Sequence, residues 1–119
     1  MSADSAATTR SHGLSPEAVR HLAAFRRELE EAFPGRIARV TLFGSRARGD
    51  AEEDSDYDVA VFVRDLTDRS KVGELVSDAA YPHILDGIYI SPIVLPVQYA
   101  EDPELTELAW DIAREGIVL

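Results

Sequence analysis

The chain has 119 residues, a length that fits one compact domain able to bury a core without disulfides or metals. Hydrophobic residues make up 45% of the chain, which excludes a disordered polymer, and the lack of cysteine excludes disulfides and thiolate metal sites. The net charge of −10 argues against binding to a long nucleic-acid duplex, so a small anionic ligand would need a divalent cation as a bridge.

The N-terminal residues 1–13 predict a polar, disordered tail, and residues 14–119 predict the folded domain. The tail lacks the apolar stretch of a secretory signal, and no apolar run elsewhere is long enough to span a membrane. We therefore expect a cytoplasmic protein that has no contact with a membrane.

A helix is predicted at the start of the domain. Ser15 is a good N-cap, Pro16 suits the first helical position, and apolar residues recur at mostly helical spacing until Pro34-Gly35 ends the helix. The β-branched run Ile37–Phe43 then predicts the first strand, which ends at Gly44.

The second predicted strand, Tyr57–Val63, has a clear alternation. Asp56, Asp58 and Phe62 fall on one face of this strand, and the tyrosine and valines fall on the other. The two aspartates therefore project to the same side of the predicted sheet.

The rest of the chain predicts a helix over 68–85, a third strand over 88–95 and a last helix over 104–114. Pro82 weakens the end of the first of these helices, and Pro92 indicates that the third strand lies at a sheet edge or carries a bulge. The order α, β, β, α, β, α predicts an α/β (α+β) fold, in which a small mixed sheet of three or more strands packs against helices.

The stretch that predicts chemistry joins a Gly-Ser turn to a pair of acids. Gly44 allows backbone to approach a ligand closely, and Ser45 offers a hydroxyl and an N–H to a phosphate oxygen. Asp56 and Asp58 repel each other unless a proton or a cation lies between them. Mg²⁺ prefers such oxygen ligands and completes its shell with water and substrate phosphates. The pattern therefore predicts a magnesium and nucleoside triphosphate site suited to phosphoryl or nucleotidyl transfer.

Structural alternatives exist for the acids of this stretch. The acidic residues 50–54 are expected to form a solvated loop, and Asp56 taken alone could be a turn residue. Asp58 is harder to explain in this way, because a carboxylate inside an apolar strand costs free energy unless it is paired or bound to a metal.

The same residues carry a family resemblance. Gly44-Ser45, ten further residues and Asp56-Tyr57-Asp58 match the nucleotidyltransferase signature of the DNA polymerase β superfamily. The surrounding stretch resembles the minimal nucleotidyltransferases of small prokaryotic proteins, and the likeness runs over about two-thirds of the chain. A nucleotidyltransferase-like fold is therefore expected.

The resemblance implies Mg²⁺-dependent transfer of a nucleoside monophosphate from a nucleoside triphosphate to a hydroxyl. The expected donor is ATP, and the expected transferred group is AMP. It implies that Asp56 and Asp58 are catalytic metal ligands and that Gly44, Ser45 and Arg46 bind the triphosphate. In several minimal members the acceptor is a tyrosine of a HEPN-type partner protein, and the pair works as antitoxin and toxin. A HEPN-type partner is therefore expected here, and an oligomer is allowed.

One position departs from the family pattern. Members usually carry a third carboxylate on a later strand, and the matching position here is occupied by Ser91. Asp86 lies just before that strand and is a candidate replacement, although the Asp-Gly pair that it forms with Gly87 favours a turn.

The remaining polar and aromatic candidates predict structural roles. Arg46 and Arg48 are candidates for phosphate contacts, with an exposed salt bridge expected for at least one of them. The histidines, including His21 and His83, are expected at the surface or at helix ends, and Trp110 is expected to face the core.

Two hypotheses follow from the sequence. In the first, the chain is an active nucleotidyltransferase that modifies a hydroxyl on a partner. In the second, it is a catalytically weak or inactive module of the same fold that binds or escorts a partner, which the serine at position 91 favours and the intact acid pair opposes.

Overall fold

The protein is described by a computed structural model that covers residues 13–119. All of the predicted tail except Gly13 lies outside these described residues. The described chain contains these elements in order: α1 Pro16–Ala32, β1 Ile37–Phe43, α2 Ser45–Arg48, β2 Tyr57–Val63, α3 Arg69–Leu85, β3 Ile90–Pro96, α4 Gln98–Glu101, a 3₁₀ turn Pro103–Leu105, α5 Glu107–Glu115 and β4 Ile117–Val118. Among these residues no helix is both long enough and apolar enough to cross a bilayer.

The four strands form one mixed sheet in the order β3-β2-β1-β4. β1 runs antiparallel to both β2 and β4, whereas β2 runs parallel to β3. The α/β fold and the mixed sheet predicted from the sequence are therefore confirmed, and so is the edge position inferred from Pro92, because β3 has only β2 beside it.

Helices cover the sheet on both faces, and β2 shows why. Tyr57, Val59, Val61 and Val63 join the larger core, which α1 and α3 complete with buried side chains such as Phe25 and Val76. Ala60 and Phe62 join a second, smaller core with Ile112 of α5. The predicted alternation of β2 is confirmed, and Asp58 projects to the face of the smaller core.

Most of the predicted elements agree with the structure at their boundaries. Ser15 caps α1 through a hydrogen bond from the Ala18 N–H, 3.0 Å long, and the bounds predicted for the first two strands are those observed. The third strand begins two residues later than predicted, at Ile90, and a 3₁₀ turn precedes the last helix. The strand β4 was missed, since a two-residue strand carries no periodicity and forms only by pairing with β1.

The histidine prediction is right in placing His83 at a helix end, since it lies in the last turn of α3, but this residue is buried and does not lie at the surface. Its Nε2 lies 2.8 Å from Glu28 Oε1 and its Nδ1 lies 2.8 Å from His21 Nδ1. Both ring nitrogens of His83 therefore have a partner on α1, and the tautomers of the two rings set which atom of each pair donates. His83 therefore ties α3 to α1. The prediction for Trp110 was also wrong, because this side chain is 49% exposed.

Candidate active site

The site begins where β1 ends at the Gly44 turn. Gly44 has φ 76° and ψ −158°, a conformation that is essentially restricted to glycine. Its carbonyl accepts hydrogen bonds of 3.0 Å from the N–H groups of Ala47 and Arg48, which close the single turn of α2. The N–H groups of Ser45 and Arg46 come before Ala47 in the chain, so they lie at the N-terminal end of the turn, where N–H groups have no partner within the helix.

Asp58 packs against this turn. The antiparallel register of β1 and β2 places Asp58 opposite Phe43, the residue before Gly44. A Cβ atom built on Gly44 would lie 2.5 Å from Asp58 Oδ2, so any other residue here would require the carboxylate to move from its observed position. The structure therefore brings together the glycine and the aspartate that the spacing of the sequence linked.

Asp56 and Asp58 are close enough to interact electrostatically. Burial raises the pKa of Asp58 above its ordinary value, the negative charge of Asp56 raises it further, and the positive charge of Arg48 lowers it. Asp58 is half-buried and Asp56 is exposed. Two carboxylates on one strand face, with one of them resisting ionisation, form an arrangement that a cation would relieve.

The donor set fits one Mg²⁺ ion. This ion binds proteins through one or two carboxylates and keeps water and substrate phosphates as its other ligands. Within residues 13–119, no third acid, histidine or cysteine joins the pair in a metal-binding cluster. A single magnesium ion therefore suits these side chains better than a two-metal centre.

The position of the missing acid is visible in the register. β2 and β3 pair in parallel with Asp58 opposite Ser91, so a serine lies where a third carboxylate would meet the acid pair. Asp86 instead forms the C-cap of α3, with Gly87 following it at φ 92°, and its Oδ2 lies 4.0 Å from His21 Nε2. The turn interpretation of Asp86 agrees with this position.

The guanidinium of Arg46 holds the loop that leads into β2. It donates hydrogen bonds of 3.0 Å to the Glu53 carbonyl and of 2.9 and 3.2 Å to the Ser55 carbonyl. It also lies over the Tyr57 ring, 4.3 Å from the ring centroid. These contacts show that the Arg46 side chain positions the loop. The group of Arg46 that faces the turn is therefore its backbone N–H.

Arg48 is the second arginine of the turn, and it forms the expected salt bridges. Its guanidinium lies 3.2 Å from Asp50 and 3.1 Å from Glu115, and the hydrogen bonds to both carboxylates raise its pKa. Because its charge also lowers the pKa of Asp58, Arg48 is the cation that contributes positive potential at the acid pair.

A groove that the sequence did not reveal adjoins Asp56, the exposed member of the acid pair. It lies between α3 and the edge strand β3, with a volume of about 480 Å³. Its lining consists of Asp56, Ser77, Ala80, Ile84, Tyr89, Ile90, Ser91 and Pro92. The sequence contains one signal for this groove: Tyr89 and Ser91 flank the buried Ile90, which indicates that the two are exposed. No sequence pattern could place these residues beside Asp56.

The chain is similar to several known proteins. Residues 22–113 match the family model of the nucleotidyltransferase domain. A proposed protein adenylyltransferase of Methanocaldococcus jannaschii is 31% identical over 78 residues, which make up 66% of this chain and 79% of the relative. The crystal structure of a proposed nucleotidyltransferase from Sulfolobus solfataricus has the same fold, with a TM-score of 0.56 and 20% identity over 89% of this chain and 88% of that one. A mutant of the MntA-HpeT toxin–antitoxin pair gives a TM-score of 0.46 and 17% identity over 78% of this chain and 68% of that chain.

Proposed function

The chain belongs to the nucleotidyltransferase domain family, and on that premise we propose that it transfers AMP from ATP to a protein hydroxyl with Mg²⁺ held by Asp56 and Asp58. The observation that carries the proposal is the packing of the Asp58 carboxylate against the Gly44 turn. This contact joins the metal-binding acids to the group of backbone donors that suits a phosphate.

The nucleotide side of the reaction follows from the arrangement of the turn. Gly44, Ser45 and the Arg46 amide would hold the β- and γ-phosphates, and Mg²⁺ would neutralise charge on the α-phosphate beside Asp58. A metal held by these two carboxylates would supply Lewis-acid catalysis and would orient the triphosphate. The protein's own contribution is to hold these donors in place before the substrate arrives.

The acceptor that we propose is a hydroxyl on a protein, in the first place a tyrosine of a HEPN-type partner. The groove beside Asp56 is lined without a lysine or an arginine, so it does not suit a nucleic-acid strand. Its mixture of apolar and aromatic side chains suits a peptide segment instead. The need for ATP makes the cytoplasm the expected location.

The test uses ATP labelled at the α-phosphate, Mg²⁺ and a HEPN-type protein encoded beside the gene. Label on the partner should require Asp56 and Asp58, so Asp56→Asn and Asp58→Asn should each abolish it. Asp54→Asn removes the same charge from the neighbouring loop and should leave the label. Loss of label in all three variants, or label that comes from the γ-phosphate, would contradict the proposal.

A second function is favoured by Ser91, which lies opposite Asp58 in the register where a third acid would complete a two-metal site. In this alternative the chain binds its partner without modifying it. The same experiment separates the two functions, because unlabelled partner that copurifies equally with the wild type and Asp58→Asn would support binding alone.

A further inference from the structure

Three polar side chains border one groove at the start of the two parallel strands. The parallel register pairs Tyr57 with Ile90 and Asp58 with Ser91, and the Tyr57 N–H donates a 2.9 Å hydrogen bond to the Tyr89 carbonyl. Asp56 and Tyr89 are the residues that directly precede this first pair of the ladder. Asp56, Tyr89 and Ser91 all line the groove, so Tyr89 borders the same space as the exposed acid.

The direction of nucleophilic attack places the acceptor on this side. In the proposed function, which this step takes as its premise, the β- and γ-phosphates lie at the Gly44-Ser45 turn on the β1 side of Asp58. An in-line displacement needs the entering oxygen opposite the leaving pyrophosphate. β2 lies between β1 and β3, so the entering oxygen approaches from the β3 edge, where Tyr89 is located.

Two hydroxyl groups of the chain are available at that edge, and their chemistry separates them. Ser91 carries an aliphatic alcohol, which needs a strong base to become a nucleophile, and among residues 13–119 no third carboxylate joins the acid pair in a cluster. A phenol ionises at about pH 10 and so releases its proton far more readily.

We propose that Tyr89 is an acceptor within the chain itself, and that the protein transfers AMP from ATP to its own phenol when no partner is bound. Tyr89 Oη attacks the α-phosphorus and forms a new P–O bond. The bond from the α-phosphorus to the α–β bridging oxygen breaks, and pyrophosphate leaves with the electron pair. The phenolic proton passes to solvent, which reaches the side chain because Tyr89 is 45% exposed.

Two of the other three tyrosines supply controls. Tyr57 is buried with its ring beneath Arg46, and it cannot reach a nucleotide. Tyr81 is 58% exposed on α3 and does not line the groove. Tyr81→Phe is therefore the matched variant for Tyr89→Phe, since each change removes one exposed phenol hydroxyl and leaves the ring.

The experiment incubates the full chain with Mg²⁺ and α-labelled ATP and follows intact mass and peptide maps. The wild type and Tyr81→Phe should gain one AMP per chain on Tyr89. Tyr89→Phe and Asp58→Asn should show none, and γ-labelled ATP should leave no label. The fraction labelled per minute should stay constant over a tenfold dilution of the protein, because the transfer occurs within one chain.

Several results would overturn this inference. An adduct on another residue, or a rate that rises with protein concentration, excludes transfer within the chain to Tyr89. An unmodified Tyr89 in a protein that still labels a partner defeats this inference alone and leaves the proposed function intact. A protein that neither binds ATP nor labels anything defeats both. Circular dichroism and the unfolding midpoint of Tyr89→Phe show whether the variant has kept its fold.

Discussion

Replacing Gly44 by alanine tests the contact that joins the phosphate-binding turn to the acid pair. The φ of 76° with ψ of −158° is costly for any residue with a Cβ atom, by about 1–3 kcal/mol. The new Cβ would also lie 2.5 Å from Asp58 Oδ2, so either the carboxylate or the turn must move. We expect Gly44→Ala to lower the free energy of unfolding by about 2 kcal/mol or more, and to abolish Mg²⁺-dependent ATP binding.

Repeating the Gly44→Ala change in the Asp58→Ala variant separates the steric clash with the carboxylate from the backbone strain. In Asp58→Ala the Oδ2 and Cγ atoms are gone, and the nearest remaining atom of residue 58 is Cβ, at 3.5 Å from the built Cβ, an ordinary contact. Gly44→Ala should therefore cost less in the Asp58→Ala background than in the wild type, with the strain as the remainder. Gly35→Ala provides a control, since Gly35 has φ 74° but no atom within 4 Å of a built Cβ.

Urea denaturation measures the change in unfolding free energy that Gly44→Ala causes in the wild type and in Asp58→Ala. The difference between these two changes is the coupling energy between residues 44 and 58. A coupling of about 0.5–3 kcal/mol is typical of residues in contact. Equal costs of Gly44→Ala in the two backgrounds would mean that Asp58 does not pack against the turn, which would remove the geometric basis of the site. ATP binding by Gly44→Ala at wild-type affinity would refute the role assigned to the turn.

Further predictions concern the residues around this contact. Burial and the charge of Asp56 raise the pKa of Asp58 in the folded protein. The protonated carboxyl group therefore contributes its full share of the folding free energy at a pH below 3.8, the ordinary pKa, and this share is lost as the pH rises through the raised pKa. Asp58→Asn should accordingly raise the urea midpoint of the metal-free protein at pH 7, and Mg²⁺ binding by the wild type, measured by calorimetry, should weaken on acidification through the same pKa. Arg46→Ala should cost about 1–3 kcal/mol of unfolding free energy through the lost hydrogen bonds to the Glu53 and Ser55 carbonyls, and Arg46→Lys should recover little, because lysine lacks the guanidinium fork. His83→Ala should lower the thermal midpoint by the equivalent of about 1–3 kcal/mol, and an unchanged midpoint would contradict the contact between α1 and α3. Ser91→Asp should destabilise the metal-free protein by repulsion across the strands, and with metal bound it should increase labelling of an added partner; a rate at or below that of wild type would show that position 91 does not face the metal.

The sequence predicted the parts of the fold that carry strong local signals. The first two strands have β-branched, alternating residues and definite turns on either side, so their bounds matched the structure. β4 has no such signal, and it exists because Ile117 and Val118 find a partner in β1. Its formation depends on residues that lie far away along the chain, which local patterns do not contain.

In the candidate site, too, the sequence predicted what depends on local patterns and did not predict what depends on tertiary contacts. The convergence of Asp56 and Asp58 followed from the alternation of one strand, and their approach to Gly44 followed from a short connection between neighbouring strands. The roles of Arg46 and His83 did not follow, because each depends on tertiary neighbours: the loop carbonyls in the first case and the side chains of α1 in the second. A single sequence shows which residues are able to bond and leaves open which partner they meet.

The absence of a third acid opposite Asp58 has a chemical consequence that connects the proposals. Two carboxylates can hold the metal that neutralises the triphosphate, and activation of the acceptor then has no dedicated carboxylate among the described residues. Acceptors whose protons leave readily are favoured in such a site, and phenols satisfy this condition better than alcohols. Transfer should therefore be selective for tyrosine over serine, and the selectivity would arise from what position 91 lacks rather than from a pocket that recognises the ring.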